Sequence, residues 1–319
     1  MERVRALHTS LEIASHYGSL AGRCYLITGA SNGLGLETAK ALAAASATVV
    51  LACRGGTKAA SALEAVRASS PAGEGRVELL ELDLGSLGSV RACAASFVAL
   101  KLPLHALICN AGINGVQRWG QFSPGIESTF AVNFLGHFLL HQCLHASLAA
   151  TPASRLVILA SESHRRITED LPTLAPHLPP PEAGYDSLRA YAFSNLCRIL
   201  WCRKVAREVP YPCVCLHPAV VAGTGMMQHM GILDSLRQVF LALWWEVRPS
   251  NPLQSWQKGS RLQTWVAVAP PEALTPLSGA YLSGNDCHVF GEALETSPQA
   301  ASDGLADELV QWAREHTSV

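Results

Sequence analysis

The chain has 319 residues, 49% of them hydrophobic and 15% charged, with a formal net charge of −1. That length buries one large core, and the balanced charge excludes a basic field for nucleic acid as well as an acidic tail. Ten cysteines are scattered through apolar segments without a Cys-x-x-Cys pair. They read as reduced core thiols in a reducing, cytoplasmic compartment and not as a disulfide framework. The first twenty residues carry Arg3, Arg5, Glu12 and two histidines, so neither a signal peptide nor a membrane span is expected there. No uninterrupted apolar run reaches the roughly 18 residues of a transmembrane helix.

In chain order, an apolar run predicts a strand over 23–28, then a helix over 34–45 and a strand over Ala47–Cys53. A helix over 58–68, a strand over Arg76–Leu82, a helix over 87–100 and a strand over His105–Cys109 follow. Next come a long helix over 125–149, a strand over Arg155–Ala160, a helix over 188–208, and strands over Pro212–His217 and Gly279–Leu282. Continuous apolar strands alternating with amphipathic helices imply α/β architecture, a doubly wound parallel sheet of Rossmann type in a single domain over 1–319. Two insertions interrupt the rhythm. Residues 165–187 are proline-rich and read as a loop. Residues 222–258 hold Met226, Met227, Met230, Trp244, Trp245 and Trp256, with a short amphipathic helix expected near Asp234–Glu246. Both follow strand ends, where ligands bind in open α/β sheets, so both are candidate substrate walls. The segment Val239–Trp245 also leaves peripheral membrane contact open.

Thr28-Gly29-Ala30-Ser31-Asn32-Gly33-Leu34-Gly35 lies between the first strand and the first helix of that pattern. There the chain must turn tightly and present a helix N-terminus to a pyrophosphate. Gly29 allows the turn, Gly33 lets backbone approach phosphate, and Gly35 permits close helix packing. The second strand ends at Cys53-Arg54. An arginine at that point suits the 2′-phosphate of NADP, where NAD calls for an acid.

With those motifs in place, the chain resembles the short-chain dehydrogenase/reductase family from about Arg23 to Leu282. The resemblance is carried by Thr28–Gly35, Leu82-Asp83-Leu84, Cys109-Asn110-Ala111-Gly112, Val132-Asn133-Phe134-Leu135-Gly136-His137-Phe138 and Ser161-Glu162-Ser163-His164. Within the family the chain is similar to the branch of retinol dehydrogenases and the WW-domain-containing oxidoreductase, though no WW domain is expected ahead of the fold. The resemblance implies a cofactor site made of Gly29, Ser31, Asn32, Gly33, Leu34, Gly35, Arg54, Asp83, Leu84, Asn110, Ala111, Gly112 and Pro218. It also implies hydride exchange between NADP and a lipophilic carbonyl or alcohol of retinoid or steroid type, with NAD the less favoured cofactor. The helix pair that commonly joins protomers in the family is present, which makes a homodimer an expectation.

By the same resemblance Tyr191 is the proton donor or acceptor, Ser161 holds the substrate oxygen, with Ser163 the second choice, and Asn133 holds a water in the proton relay. Tyr185 lies before the expected helix register and is a decoy. The family's lysine, four residues after the tyrosine, binds the nicotinamide ribose and lowers the tyrosine pKa. Here that position is Asn195. A neutral amide can hydrogen-bond a ribose hydroxyl but supplies almost none of the charge, and a general acid–base group is worth roughly 10²–10⁴ in rate.

Related chains often read Ser-Lys-Leu-Cys-Asn where this one reads Ser194-Asn195-Leu196-Cys197-Arg198. Arg198 shares a helical face with Tyr191, but about 10 Å of axial rise separates them. The positive charge has moved one turn along the helix, so Arg198 as a replacement for the lysine is the minor reading and a solvated or surface-paired arginine is the expectation. A second departure is Ala219, where the family has glycine, with Thr224 one residue late. Two readings stand: an oxidoreductase with a degenerate catalytic site, or a catalytically inactive dinucleotide-binding sensor or scaffold, a pseudoenzyme. His137, His141 and His145 recur at helical spacing beside Cys143, but no carboxylate or further cysteine completes a set, so no metal is expected. Cys213 and Cys215 alternate along a strand and are expected to point the same way into the core.

Overall fold

The computed structural model describes residues 7–71, 75–123, 125–218, 221, 254–284 and 292–318, apart from the side chains of 121–123. Most of the 222–258 insertion, with its expected helix, lies outside these residues, as do Ala219 and Thr224.

Seven parallel strands form one sheet: β1 (Cys24–Thr28), β2 (Thr48–Cys53), β3 (Val77–Glu81), β4 (Ala106–Cys109), β7 (Arg155–Leu159), β8 (Cys213–His217) and β9 (Tyr281–Ser283). Their spatial order is β3-β2-β1-β4-β7-β8-β9. The chain winds outward from β1 through β3, then crosses back to place β4 on the other side of β1. The crevice beyond the carboxyl ends of β1 and β4 is thus the topological switch point, where such sheets bind ligands. The short ribbon β5 (Gln121–Ser123) and β6 (Ile126–Glu127), absent from the sequence reading, is antiparallel and separate from the main sheet.

Successive residues of each strand feed opposite faces. Leu26, Leu107, Leu156 and Cys213 enter one core, whereas Ile27, Ile108, Val157 and Val214 enter the other. Cys213 and Cys215 both enter the first core, as their alternation implies. The second face is covered by α1 (Ser10–His16), α2 (Gly33–Ala44), α3 (Thr57–Arg67) and α7 (Arg261–Val268). The first is covered by α4 (Leu87–Ala99), α5 (Gly136–Ala149), α6 (Ser187–Val205) and α8 (Asp303–Thr317). Helix α8 was not anticipated. It lays Leu305, Leu309, Val310 and Ala313 into the same core as α6, and Trp312 meets Phe130 edge-on at 5.6 Å. Arg203 and Arg207 ion-pair with Asp303, while Lys204 and Arg207 ion-pair with Asp307.

The 165–187 insertion contains only short 3₁₀ turns beside irregular chain, as its prolines imply. It is fastened at several points. Glu308 of α8 accepts hydrogen bonds from the Thr173 hydroxyl and from the Leu174 and Ala175 amides. The Trp119 indole donates to Pro180 O, and the Tyr185 hydroxyl donates to Val116 O at 3.0 Å. No helix among the described residues is long and apolar enough to cross a membrane.

Candidate cofactor and catalytic site

Helix α2 begins at the carboxyl end of β1 with its first turn open. Asn32 is its N-cap in extended geometry (φ −162°), yet its side chain makes no capping hydrogen bond. The backbone N–H groups of the first turn are orphan donors that a phosphate satisfies. Gly29 holds the turn at φ +67°, and a Cβ there would lie 2.9 Å from Ala111 Cα. At Gly35 a Cβ would meet Asn110 Nδ2 at 2.5 Å and Gly29 O at 2.9 Å. Gly33 has φ +56° and open space before it. Of the three glycines, two admit another segment of this protein and one faces room for a ligand.

Asn110, Ala111 and Gly112 run alongside, immediately after β4. Asn110 Nδ2 donates to Thr28 O at 2.8 Å, and the Ala111 amide donates to the Thr28 hydroxyl at 3.0 Å. Ser31 and Leu34 are half-buried and Asn32 is exposed. Arg54 is exposed one residue beyond β2, on the same edge of the sheet. Asp83, half-buried after β3, accepts from the Gly85 amide, and Leu84 is buried. Pro218 follows β8 and is half-buried. All the predicted cofactor residues therefore sit at the carboxyl ends of the strands or at the start of α2. The donor set fits a dinucleotide: an uncapped helix end for the pyrophosphate and an exposed guanidinium for a ribose phosphate.

The catalytic candidates come from three further elements. The segment leading into α5 forms a π-helical turn over Ala131–Leu135, a distortion frequent at functional sites. Within it the Asn133 side chain accepts from Ile113 N at 2.8 Å and donates to Ile113 O and the Ser194 hydroxyl. Tyr191 lies one turn into α6 and is half-buried. Tyr185 precedes that helix, whose N-cap is Asp186. Ser161, 7% exposed, caps the 3₁₀ turn over Glu162–Arg166 by accepting from the Ser163 amide at 3.2 Å.

Asn195 is fully buried. Its Nδ2 donates to the Tyr191 carbonyl at 2.9 Å and to the Ser163 hydroxyl at 3.3 Å, leaving Oδ1 without a hydrogen-bond partner among the described residues. The amide is turned back onto its own helix.

Arg198 contradicts the expectation of a solvated or surface-paired side chain. It is 3% exposed and lies inside the site. Its Nε donates to Asn133 O at 2.5 Å, Nη1 to Leu159 O at 2.8 Å and Nη2 to Ala111 O at 2.5 Å. Gly112 packs over it, and a Cβ there would lie 3.6 Å from Nη2. Helix α6 is buried on every side from Ala192 to Cys202, so no solvent face exists to receive an arginine.

His137 completes this network. Its Nδ1 faces Asn133 O at 3.0 Å, so that nitrogen carries the proton and Nε2 accepts from the Thr28 hydroxyl at 2.8 Å. Burial, with a smaller contribution from Arg198, pushes the imidazole down to about 3. The Asn133 carbonyl thus holds both Arg198 and His137. His141 and His145 instead share the Tyr211 hydroxyl, so the three histidines do not converge on one point.

Sequence reasoning did not assign roles to Thr28 and His137. The signal was available: Thr28 ends β1 at the switch point, and His137 stands one helical turn after Asn133.

A short chain dehydrogenase family profile matches residues 23–168. A WW domain-containing oxidoreductase of Danio rerio is 37% identical over 285 residues, covering 87% of this chain and 65% of that protein. Human retinol dehydrogenase 12 is 32% identical over 293 residues, covering 91% of this chain and 84% of its own length. The chain belongs to the short-chain dehydrogenase family. It spans about two thirds of the length of its WW domain-containing relative. An uncharacterized protein of Mycobacterium Paratuberculosis has a solved structure that matches this dehydrogenase fold with a TM-score of 0.70 at 25% identity, covering 96% of this chain and 97% of that one. The family is one of NAD(P)-binding oxidoreductases, and the open first turn of α2 is consistent with such a cofactor.

Proposed function

We propose that this chain is an NADP(H)-dependent oxidoreductase of the cytoplasm that acts on a lipophilic carbonyl or alcohol of retinoid or steroid type. The observation that carries the reading is the uncapped N-terminus of α2 at the topological switch point of the sheet. Exposed Arg54 supports NADP over NAD. The similarity to retinol dehydrogenase 12 supports the substrate class.

Bound dinucleotide supplies the hydride. The protein's own part is proton handling and orientation. The Tyr191 phenol gives or takes the proton, and the Ser161 hydroxyl orients the reacting oxygen. With its Nδ2 committed, Oδ1 is the atom of the Asn195 side chain left to accept from a ribose hydroxyl.

That same commitment favours a second reading, a binding protein that holds the dinucleotide without turnover. Single-turnover oxidation of bound NADPH with retinal and a panel of lipophilic carbonyls separates the two. Parental decay that vanishes in Tyr191→Phe and survives in Tyr185→Phe establishes the enzyme. Bound but inert NADPH, with decay only in Asn195→Lys, establishes the binding protein. Failure to bind NADPH overturns both.

A further inference from the structure

We propose that Arg198 is a positioning residue that takes over the work of the missing lysine, supplying from beneath the site the positive charge that favours the ionised form of Tyr191. The inference rests on the enzymatic reading above and deepens it.

Three observations lead there. First, the guanidinium is buried at the carboxyl ends of β4 and β7, and each of its three nitrogens donates to a neutral carbonyl: Asn133, Leu159 and Ala111. No carboxylate pairs with it among the described residues. A buried cation without a counter-ion is costly, and an apolar residue of similar volume would pack the site more favourably. The arginine stays charged nonetheless, because guanidinium does not give up its proton in proteins.

Second, the groups that favour its charge against burial are Tyr191, then Cys109 and Cys215. Burial pushes both of those thiols upward, so they stay protonated and carry no charge of their own to meet the guanidinium. The side chain at 198 leans toward the helix N-terminus, back along the face that Tyr191 occupies.

Third, the charge lies directly under the Asn110–Gly112 segment, since Gly112 offers no Cβ to separate the guanidinium from the groove. The lysine and the following asparagine of the resembling sequences stand here as Asn195 and Arg198. The pair is an exchange of charge between neighbouring turns of α6, with the cation moved from the ribose side to the floor. Asn133 O anchors it.

Tyrosinate absorbance tests this without turnover. The chain has six tyrosines, and burial pushes Tyr17, Tyr25, Tyr185, Tyr211 and Tyr281 all upward. A phenol ionising early is therefore Tyr191, identified by the difference between parent and Tyr191→Phe. The expected result is ionisation at least about one unit below the ordinary ~10 in the parent, unchanged in Asn195→Ala and shifted upward by about one unit in Arg198→Met. Reversing the exchange, Asn195→Lys with Arg198→Asn, keeps the early ionisation. Ionisation of Tyr191 at or above ~10 in the parent overturns the proposal even if Arg198→Met does not fold. So does an Arg198→Met protein that folds and titrates like the parent. Early ionisation in a parent that binds NADPH but never oxidises it leaves the charge assignment standing and removes the enzymatic reading.

Discussion

Thr28→Val removes one hydroxyl and keeps the side-chain volume. In the parent that hydroxyl accepts from the Ala111 amide at 3.0 Å and donates to His137 Nε2 at 2.8 Å, and Thr28 itself is fully buried. Valine leaves the half-buried Ala111 N–H without an acceptor and a buried imidazole nitrogen without a donor. Each orphaned group costs about 1–3 kcal/mol, so the variant is destabilised by about 2–6 kcal/mol. That is a large part of an ordinary folding free energy of roughly 5–15 kcal/mol. The damage is local as well, because Ala111 belongs to the segment that flanks the dinucleotide groove, and NADPH binding weakens with it. Urea unfolding followed by tryptophan fluorescence measures the first effect; Trp201 and Trp265 are both fully buried reporters. A fluorescence titration with NADPH measures the second. Thr28→Ser retains the hydroxyl and serves as the control, losing only a methyl group. A valine variant within about 0.5 kcal/mol of the parent, or a serine variant as damaged as valine, would refute the network.

Four further outcomes follow from the site and its surroundings. Gly35→Ala drives a methyl into the Asn110 amide and Gly29 O, an overpacking worth about 1–3 kcal/mol; NADPH affinity falls roughly 10–100-fold, read by equilibrium titration. Arg54→Glu removes the guanidinium proposed to meet a ribose phosphate and adds an acid, so NADPH binding weakens by about tenfold or more while NADH binding improves. Burial pushes His137 and His141 down to about 3, so the unfolded chain takes up their protons first and stability falls as pH drops through about 6.5. At pH 5 that loss amounts to about 2 kcal/mol per histidine, 1.5 units at about 1.36 kcal/mol each, and equal urea midpoints at pH 7.5 and 5.0 would contradict it. Burial also pushes the thiols of Cys24, Cys93 and Cys202 up to about 12. Alkylation of the native protein at pH 8, read by mass spectrometry, therefore reaches half-buried Cys143 well before these three.

The strands were legible because parallel strands covered on both faces leave unbroken apolar runs, and each predicted segment contains or overlaps the observed one. The glycine turn was legible because only glycine tolerates the positive φ at Gly29 and the close approach at Gly35. Helix α6 shows where such reading stops. With Ala192–Cys202 buried throughout, its sequence carries no polar stripe to tell an outward arginine from an inward one. Spacing correctly placed Arg198 on the face of Tyr191, yet only the fold shows three carbonyls converging on it from β4, β7 and the π-helical turn. Ribbon β5–β6 escaped because two short strands carry almost no periodic signal. Thr28 and His137 were visible as letters in motifs, but their hydrogen bond joins residues 109 positions apart.

Helix α8 sets an order of events for synthesis. Phe193, Leu196 and Leu200 of α6 belong to a core that Leu305, Leu309 and Val310 help to close, so more than a hundred residues must follow α6 before its outer side is covered. Through that interval the nascent chain carries an apolar face open to chaperones or to other chains. Lesions that cut the sequence short of residue 303 would spare every predicted residue of the dinucleotide groove and still leave the core side of α6 uncovered. Loss of function from such truncations would be a failure of folding and not of chemistry.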